Sequence, residues 1–180
     1  RIRITSGPAL SKPNDLVGML TNLQRGDVVF IDEVHRTPAI VEEFIYPAME
    51  DFRVDFTVDS GMHARTINLP LKPFTLIGAT TRAGLLTAPL RARFGIVHHL
   101  EFWGAEDLLE RARRTANMLG IKYEEEALAM LAGRSRGTPR ITNRLLRRVR
   151  DFAQIKADGK LTRATVADAL ELEGIDQQGL

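Results

Sequence analysis

The sequence predicts an α/β core followed by an all-helical second domain. Three observations carry that reading. Two short apolar runs, residues 28–31 and the stretch "FTLIGA" at 74–79, stop abruptly at polar residues, as strands buried in a sheet do. Stretches with apolar residues at helical spacing lie between and around them. After Trp103 the helical spacing is all that remains.

The elements follow in order. Residues 1–5 alternate like a strand, and Ser6-Gly7-Pro8 and Lys12-Pro13-Asn14-Asp15 are turn chemistry. Residues 16–23 fit a helix, with Asn14 or Asp15 as its N-cap, and 27–31 form a buried strand. Ile40, Val41, Phe44, Ile45, Ala48 and Met49 give residues 38–52 a helical stripe. Val54, Phe56 and Val58 then alternate, Asp59-Ser60-Gly61 turns, and residues 65–69 return as the second strand of a hairpin. Residues 96–102 read as a further strand. Helices are expected over 105–119, 124–135, 138–156 and 163–172. Thr138 serves as an N-cap before a proline at the first helical position, and Gly120, Gly137 and Gly159 act as punctuation. The boundary falls at 102/103.

Composition narrows the function. With 180 residues, 44% of them hydrophobic, the chain has room for one domain and a smaller second one. Without cysteine there is no disulfide framework and no thiolate metal site. No apolar stretch approaches the roughly 18 residues of a membrane span. The opening Arg1-Ile2-Arg3-Ile4 is neither a Met start nor a signal peptide, so the chain reads as an internal fragment of a longer, cytoplasmic protein. A net charge of +2 argues for no nucleic-acid partner by itself, but seven arginines and no acid lie between Arg134 and Arg150. Arg140, Arg144, Arg147 and Arg148 fall on one helix face, which suits a phosphate patch, a subunit contact or a solvated stripe.

The chemistry gathers at strand ends. In "DVVFIDEVHR" the apolar run ends in Asp32 and Glu33. An Asp at the carboxyl end of a parallel strand is placed to hold Mg²⁺, directly or through water, and the next carboxylate to polarise an attacking water. "TLIGATTRAG" puts the hydroxyls of Thr80 and Thr81 at a neighbouring strand end, where one of them can orient that water. "APLRARFG" supplies Arg91 and Arg93, suited to charge on a transferring phosphoryl group. Arg140 stands in the first turn of a helix, against the helix dipole, as a residue reaching for an anion would. His98-His99 is a poor metal pair, because adjacent strand side chains point to opposite faces. "DEVH" also mimics the box of another helicase class, which lacks the later Arg-x-Arg-Phe and four-helix pattern.

The order of these features resembles the AAA+ ATPases, a P-loop NTPase group. The strings "TSGPAL", "FIDEVHR", "YPAMEDF", "IGATTRAGLLTAPLRARFGI" and "RGTPRITNRLLRRVRDFA" resemble the RuvB family, the Holliday-junction branch-migration motors, over most of the chain. The resemblance implies the rear part of an AAA+ parallel-sheet core at 1–102 and a helical lid at 103–180. It implies ATP and Mg²⁺ as cofactors, a homo-oligomeric ring (a hexamer) and no membrane. Asp32 then corresponds to the magnesium carboxylate and Glu33 to the catalytic base. Thr81 corresponds to the first sensor, with Thr80 as its rival, Arg93 to the arginine finger acting on the next subunit's ATP, and Arg140 to the second sensor. The hairpin at 53–69, with Val54, Phe56, Val58 and Ile67, corresponds to the grip on a RuvA-like junction-binding partner.

The sequence departs from the family at one motif. No G-x-x-x-x-G-K-S/T occurs. Gly159-Lys160 is followed by Leu161 and preceded by Gln154 where the first glycine belongs. In the family the phosphate loop precedes "TSGPAL", and a winged-helix domain that touches junction DNA follows the lid. The chain alone is therefore expected not to turn over ATP. A non-hydrolysing AAA+ scaffold and a clamp-loader-like ATPase are the other readings the sequence leaves open.

Overall fold

The computed structural model describes residues 1–58, 65–176 and 178–180, and side chains there except at 56–58, 65 and 66. The chain divides into two compact units, Arg1–Val97 and His98–Leu180, so the division falls a few residues before the expected 102/103.

In the first unit, β1 (Ile2–Ser6), β2 (Val28–Asp32) and β5 (Thr75–Gly78) form a parallel sheet in the order β1-β2-β5. Ile4 stands opposite Phe30 and Phe30 opposite Ile77, while Ser6 stands opposite Asp32. The alternation of side chains along a strand sets the burial. Val29 and Ile31 are fully buried in one core with Leu16 and Leu20 of α1 (Pro13–Thr21) and Val41, Ile45 and Ala48 of α2 (Ala39–Glu50). The other face carries Ile2, Ile4 and Ile77, which are exposed. The expected strands at 27–31 and 74–79 are therefore covered on one face, not on both.

Two further expectations are corrected. The N-cap of α1 is Lys12, not Asn14 or Asp15, because Pro13 starts the helix and the Asp15 carboxylate accepts the Lys12 N–H at 2.9 Å from inside the first turn. Residues 96–102 form no strand. A strand needs a ladder partner, and among the described residues β5 pairs only with β2. Ile96, Val97, Leu100 and Phe102 are all exposed, and His98 and His99 lie in the same irregular stretch.

The hairpin forms apart from this sheet. β3 (Arg53–Val58) and β4 (Arg65–Pro70) pair antiparallel, with Val54 opposite Leu69 and Phe56 opposite Ile67. Val54 is fully buried in the core of the first unit, so it anchors the hairpin and offers nothing to a partner, whereas Ile67 is half exposed. The side chains of Phe56 and Val58 and the Asp59-Ser60-Gly61 turn lie outside the described residues. α3 (Ala88–Arg93) follows β5, capped by the Thr87 hydroxyl, which accepts the Leu90 N–H.

The second unit holds α4 (Ala105–Met118), α5 (Glu125–Gly133), α6 (Pro139–Lys156) and α7 (Arg163–Leu172) around a core of Leu128, Leu131, Leu145, Leu146, Val149, Val166 and Leu170. Thr138 and Pro139 open α6 as expected. Gly137 before them has φ +68°, and a Cβ there would sit 2.5 Å from the Cβ of Phe102, so no other residue fits. A two-residue parallel pair, β6 (Lys122–Tyr123) with β7 (Lys160–Leu161), went unread in the sequence. Lys160, the lysine of the rejected Gly-Lys, pairs there with Glu124 at 2.8 Å.

Candidate active site

The site grows from the carboxyl end of β2. Asp32 is exposed on the open face of the sheet, and one of its oxygens accepts the Glu33 N–H at 2.9 Å. Glu33 then turns the chain with φ 50° and ψ 43°, a left-handed conformation that costs a non-glycine residue about 1 kcal/mol or more. Backbone contacts hold that conformation in place. The Val34 N–H donates to Ala79 O at 2.9 Å, Ala79 N–H to Ile31 O at 2.9 Å and Arg36 N–H to Glu33 O at 2.8 Å. Behind Glu33 lies Gly7, where a Cβ would stand 2.4 Å from Glu33 O. The turn carrying Glu33 is thus clamped between the ends of β1 and β5.

The side chains add a second layer. The His35 side chain is almost fully buried and lies between two partners: its Nε2 is 3.3 Å from a Glu33 carboxylate oxygen but out of hydrogen-bond alignment, and its Nδ1 is hydrogen-bonded to Thr80 Oγ1 at 2.7 Å. The Arg82 N–H donates to the same Thr80 oxygen at 3.0 Å. Thr81 is exposed and makes no side-chain hydrogen bond among the described residues. Of the two threonines, Thr80 is therefore the one joined to Glu33.

The arginines of "APLRARFG" divide in the same way. Arg91 donates to the carbonyls of Ala83 at 2.8 Å and Leu86 at 3.5 Å and so staples its own loop. Arg93 lies 4.5 Å above the Tyr46 ring, its Nε 3.0 Å from Glu50 but out of hydrogen-bond alignment, and donates to Pro89 O at 2.9 Å. Beneath it Glu42 is buried. Its carboxylate accepts the Tyr46 hydroxyl at 2.8 Å and the Thr87 hydroxyl at 2.7 Å, tying α2 to the start of α3. Burial, assisted by the Glu42 carboxylate, raises the Tyr46 pKa above the ordinary tyrosine range. Arg140, in the second unit, is exposed in the first turn of α6, and neither it nor Arg144, Arg147 or Arg148 makes an ion pair among the described residues.

As a metal site Asp32 is incomplete by design. One carboxylate oxygen is taken by Glu33 N–H, which leaves the other for a hard cation, and no cluster of three metal-ligating side chains occurs among the described residues. A single carboxylate with open positions suits Mg²⁺ shared with phosphate oxygens and water, not a cage of protein ligands.

Residues 1–100 match the family model for the "Holliday junction DNA helicase RuvB P-loop domain", and residues 103–176 match the "RuvB AAA lid domain". The chain belongs to the RuvB family. It is 57% identical over 178 residues to the Holliday junction branch migration complex subunit RuvB of Parabacteroides distasonis, covering 99% of this chain and 52% of that protein. It is 55% identical over 179 residues to its counterpart in Desulfosudis oleivorans, again covering 99% and 52%. The solved Thermotoga maritima RuvB Holliday junction branch migration motor superposes with a TM-score of 0.86 at 45% identity, covering 100% of this chain and 55% of that one. The chain spans about half the length of the curated relatives it matches. Its fold is the RuvB form of the AAA+ architecture, a P-loop sheet domain of the nucleotide-binding class followed by a helical lid. No helix among the described residues is long and apolar enough to cross a membrane.

Within this RuvB-family chain, the sequence alone missed His35, Glu42, Tyr46 and Gly7. His35 stands in the quoted "DEVH", but nothing in the string says that the residue two positions after Glu33 folds back on it. Glu42 reads as one acid among several on a helix, and its burial comes from α3 lying over it.

Proposed function

We propose that this chain provides the hydrolysis residues of an ATP-driven Holliday-junction branch-migration motor, a DNA helicase subunit of recombination and repair acting in the cytoplasm. The observation that carries the reading is the clamped strand end. Glu33 is held in a left-handed turn by backbone hydrogen bonds, beside an exposed Asp32 and next to the loop that leads to Arg91 and Arg93. Strain of this kind is kept where a side chain must be aimed.

The chain's residues act as follows. Asp32 offers its uncommitted oxygen to Mg²⁺. Bound there with the nucleotide, Mg²⁺ would neutralise charge on the β- and γ-phosphates. Glu33 takes the proton of the attacking water as that oxygen moves on the γ-phosphorus. Thr81, exposed at the adjacent strand end, orients the water or the γ-phosphate, while Thr80 faces inward. Three solved Thermotoga maritima RuvB variants change an alanine to serine, a threonine two positions on to valine, and an arginine twelve positions beyond that to alanine. Ala79, Thr81 and Arg93 stand at the same spacing here, which supports Thr81 and Arg93 as the sensor and the finger. In a ring, Arg93 reaches the ATP of a neighbouring subunit by leaving its contacts with Pro89 O and the Tyr46 ring. Arg140 reaches the γ-phosphate from the lid. The hairpin, with Phe56, Val58 and Ile67, docks a RuvA-like protein that holds the Holliday junction.

The test uses a complete subunit in which this chain replaces the matching 178 residues of the Parabacteroides distasonis protein. Glu33→Gln is expected to bind ATP and not to hydrolyse it, and Arg93→Ala to stop hydrolysis while retaining ATP. Mixing the two variants is expected to restore turnover at interfaces that regain both groups. Wild-type rates in Glu33→Gln, or no recovery in mixed rings shown to co-assemble, overturn the assignment.

A further inference from the structure

His35 has no role in the mechanism as derived so far, yet its side chain is only 5% exposed and lies between Glu33 and Thr80. Each ring nitrogen faces a partner: Nδ1 shares a hydrogen bond with Thr80 Oγ1, and Nε2 lies 3.3 Å from a Glu33 carboxylate oxygen. The Glu33 carboxylate only accepts, so a proton on the facing Nε2 is the arrangement that suits this approach. The Thr80 hydroxyl, 2.7 Å from Nδ1, can accept from that nitrogen or donate to it, so it keeps the ring in place with either nitrogen protonated. Thr80 Oγ1 in turn accepts the Arg82 N–H. Two hydrogen bonds, Arg82 N–H to Thr80 and Thr80 to His35, and the 3.3 Å approach of His35 Nε2 to Glu33 thus form one line of contacts from the Arg82 backbone to the carboxylate. This links the carboxylate to the segment after β5, the same segment that Arg91 staples and that leads into α3 and Arg93.

We propose that His35 is the positioning residue of this site: it aims the Glu33 carboxylate and couples that aim, through Thr80, to the loop leading to the arginines. The proposal rests on the reading of Glu33 as the base. His35 holds one carboxylate oxygen, leaving the other for the water. Because Thr80 belongs to the loop, a shift of that loop alters the direction of Glu33, so a subunit whose arginine segment is displaced is also one whose base is misaimed. A misplacement of about 1 Å can cost on the order of a hundredfold in rate.

The experiment measures steady-state ATP turnover in the complete subunit. His35→Ala is expected to lower kcat about 10- to 100-fold with KM for ATP within about threefold, because binding does not pass through Glu33. His35→Gln, whose amide nitrogen falls near the Nε2 position, is expected to retain more turnover than His35→Ala. Thr80→Val keeps the shape and removes the hydroxyl, so it is expected to lower kcat in the same sense and covers the case in which His35→Ala fails to fold. The double variant His35→Ala with Thr80→Val is expected to be no worse than the poorer single one, since both cut one line of contacts. Unchanged kcat in His35→Ala or in Thr80→Val, a raised kcat, a loss expressed in KM alone, or losses that multiply in the double variant would each overturn the proposal. Glu33→Gln is measured alongside. If it hydrolyses ATP normally, the assignment of the base fails; if it is inactive while His35→Ala and Thr80→Val are normal, only the positioning role fails.

Discussion

Gly7 shows how a residue with no chemistry governs a site. A Cβ at position 7 would lie 2.4 Å from Glu33 O, 2.9 Å from Thr37 N and 3.0 Å from the Arg36 carbonyl carbon, all of them backbone atoms. None can swing aside as a side-chain tip can, so the turn that presents Glu33 must move. Gly7→Ala is expected to cost about 1–3 kcal/mol of stability by overpacking and to reduce ATP turnover in the complete subunit. Gly18, inside α1, is the control, because a Cβ there meets nothing within 4 Å. Gly18→Ala is expected to be neutral or stabilising by up to about 1 kcal/mol through helix propensity. Denaturant midpoints check both. Equal midpoints for the two variants would mean that the turn yields easily and that Glu33 is not held by this contact.

At the scale of elements, the network under Arg93 makes a pH-dependent prediction. Glu42 and Tyr46 on α2 meet Thr87 at the start of α3, and the Tyr46 pKa is raised chiefly by burial. A raised pKa means that the folded chain keeps the phenol proton where the unfolded chain loses it. The stability from this site is therefore fully present below the unfolded tyrosine pKa of about 10 and is lost as pH rises through the folded value. Tyr46→Phe is expected to lower stability at neutral pH by about 1.5–3 kcal/mol, the range for a hydrogen bond to a charged group. It is also expected to flatten the decline above about pH 10. Parallel alkaline decline in both proteins would show that Tyr46 ionises as freely folded as unfolded. This network also marks the limit of what the sequence told. The helical stripe of α2 was legible because Val41, Ile45 and Ala48 repeat at helical spacing, and β2 because four apolar residues end at Asp32. The burial of Glu42 and the inward turn of Thr80 depend on partners more than 40 residues away, which no local period encodes. The strand expected at 96–102 failed for the same reason: apolar content is local, but a ladder partner is not.

At the scale of the whole molecule, the chain's parts differ in how they use apolar surface. Each compact unit buries its own core, Leu16, Ile31 and Ile45 in one and Leu128, Leu146 and Val166 in the other. The hairpin has little core of its own and is fixed at one end, where Val54 enters the first unit. A two-stranded ribbon held at its base can present side chains to another protein without disturbing the sheet that carries Asp32 and Glu33. Ile67, half exposed on β4, is the described side chain suited to that contact. Ile67→Asp is expected to weaken binding of the RuvA-like partner to the complete subunit by about 2 kcal/mol or more, the cost of losing an anchor, which is roughly thirtyfold in affinity. Val54→Asp is the contrasting variant. It places a charge in the core and is expected to unfold the first unit, not to act on binding alone. Partner affinity by titration and folding by circular dichroism separate the two. If Ile67→Asp binds the partner as well as the parent does while keeping its fold, the partner uses another face and the hairpin reading is lost.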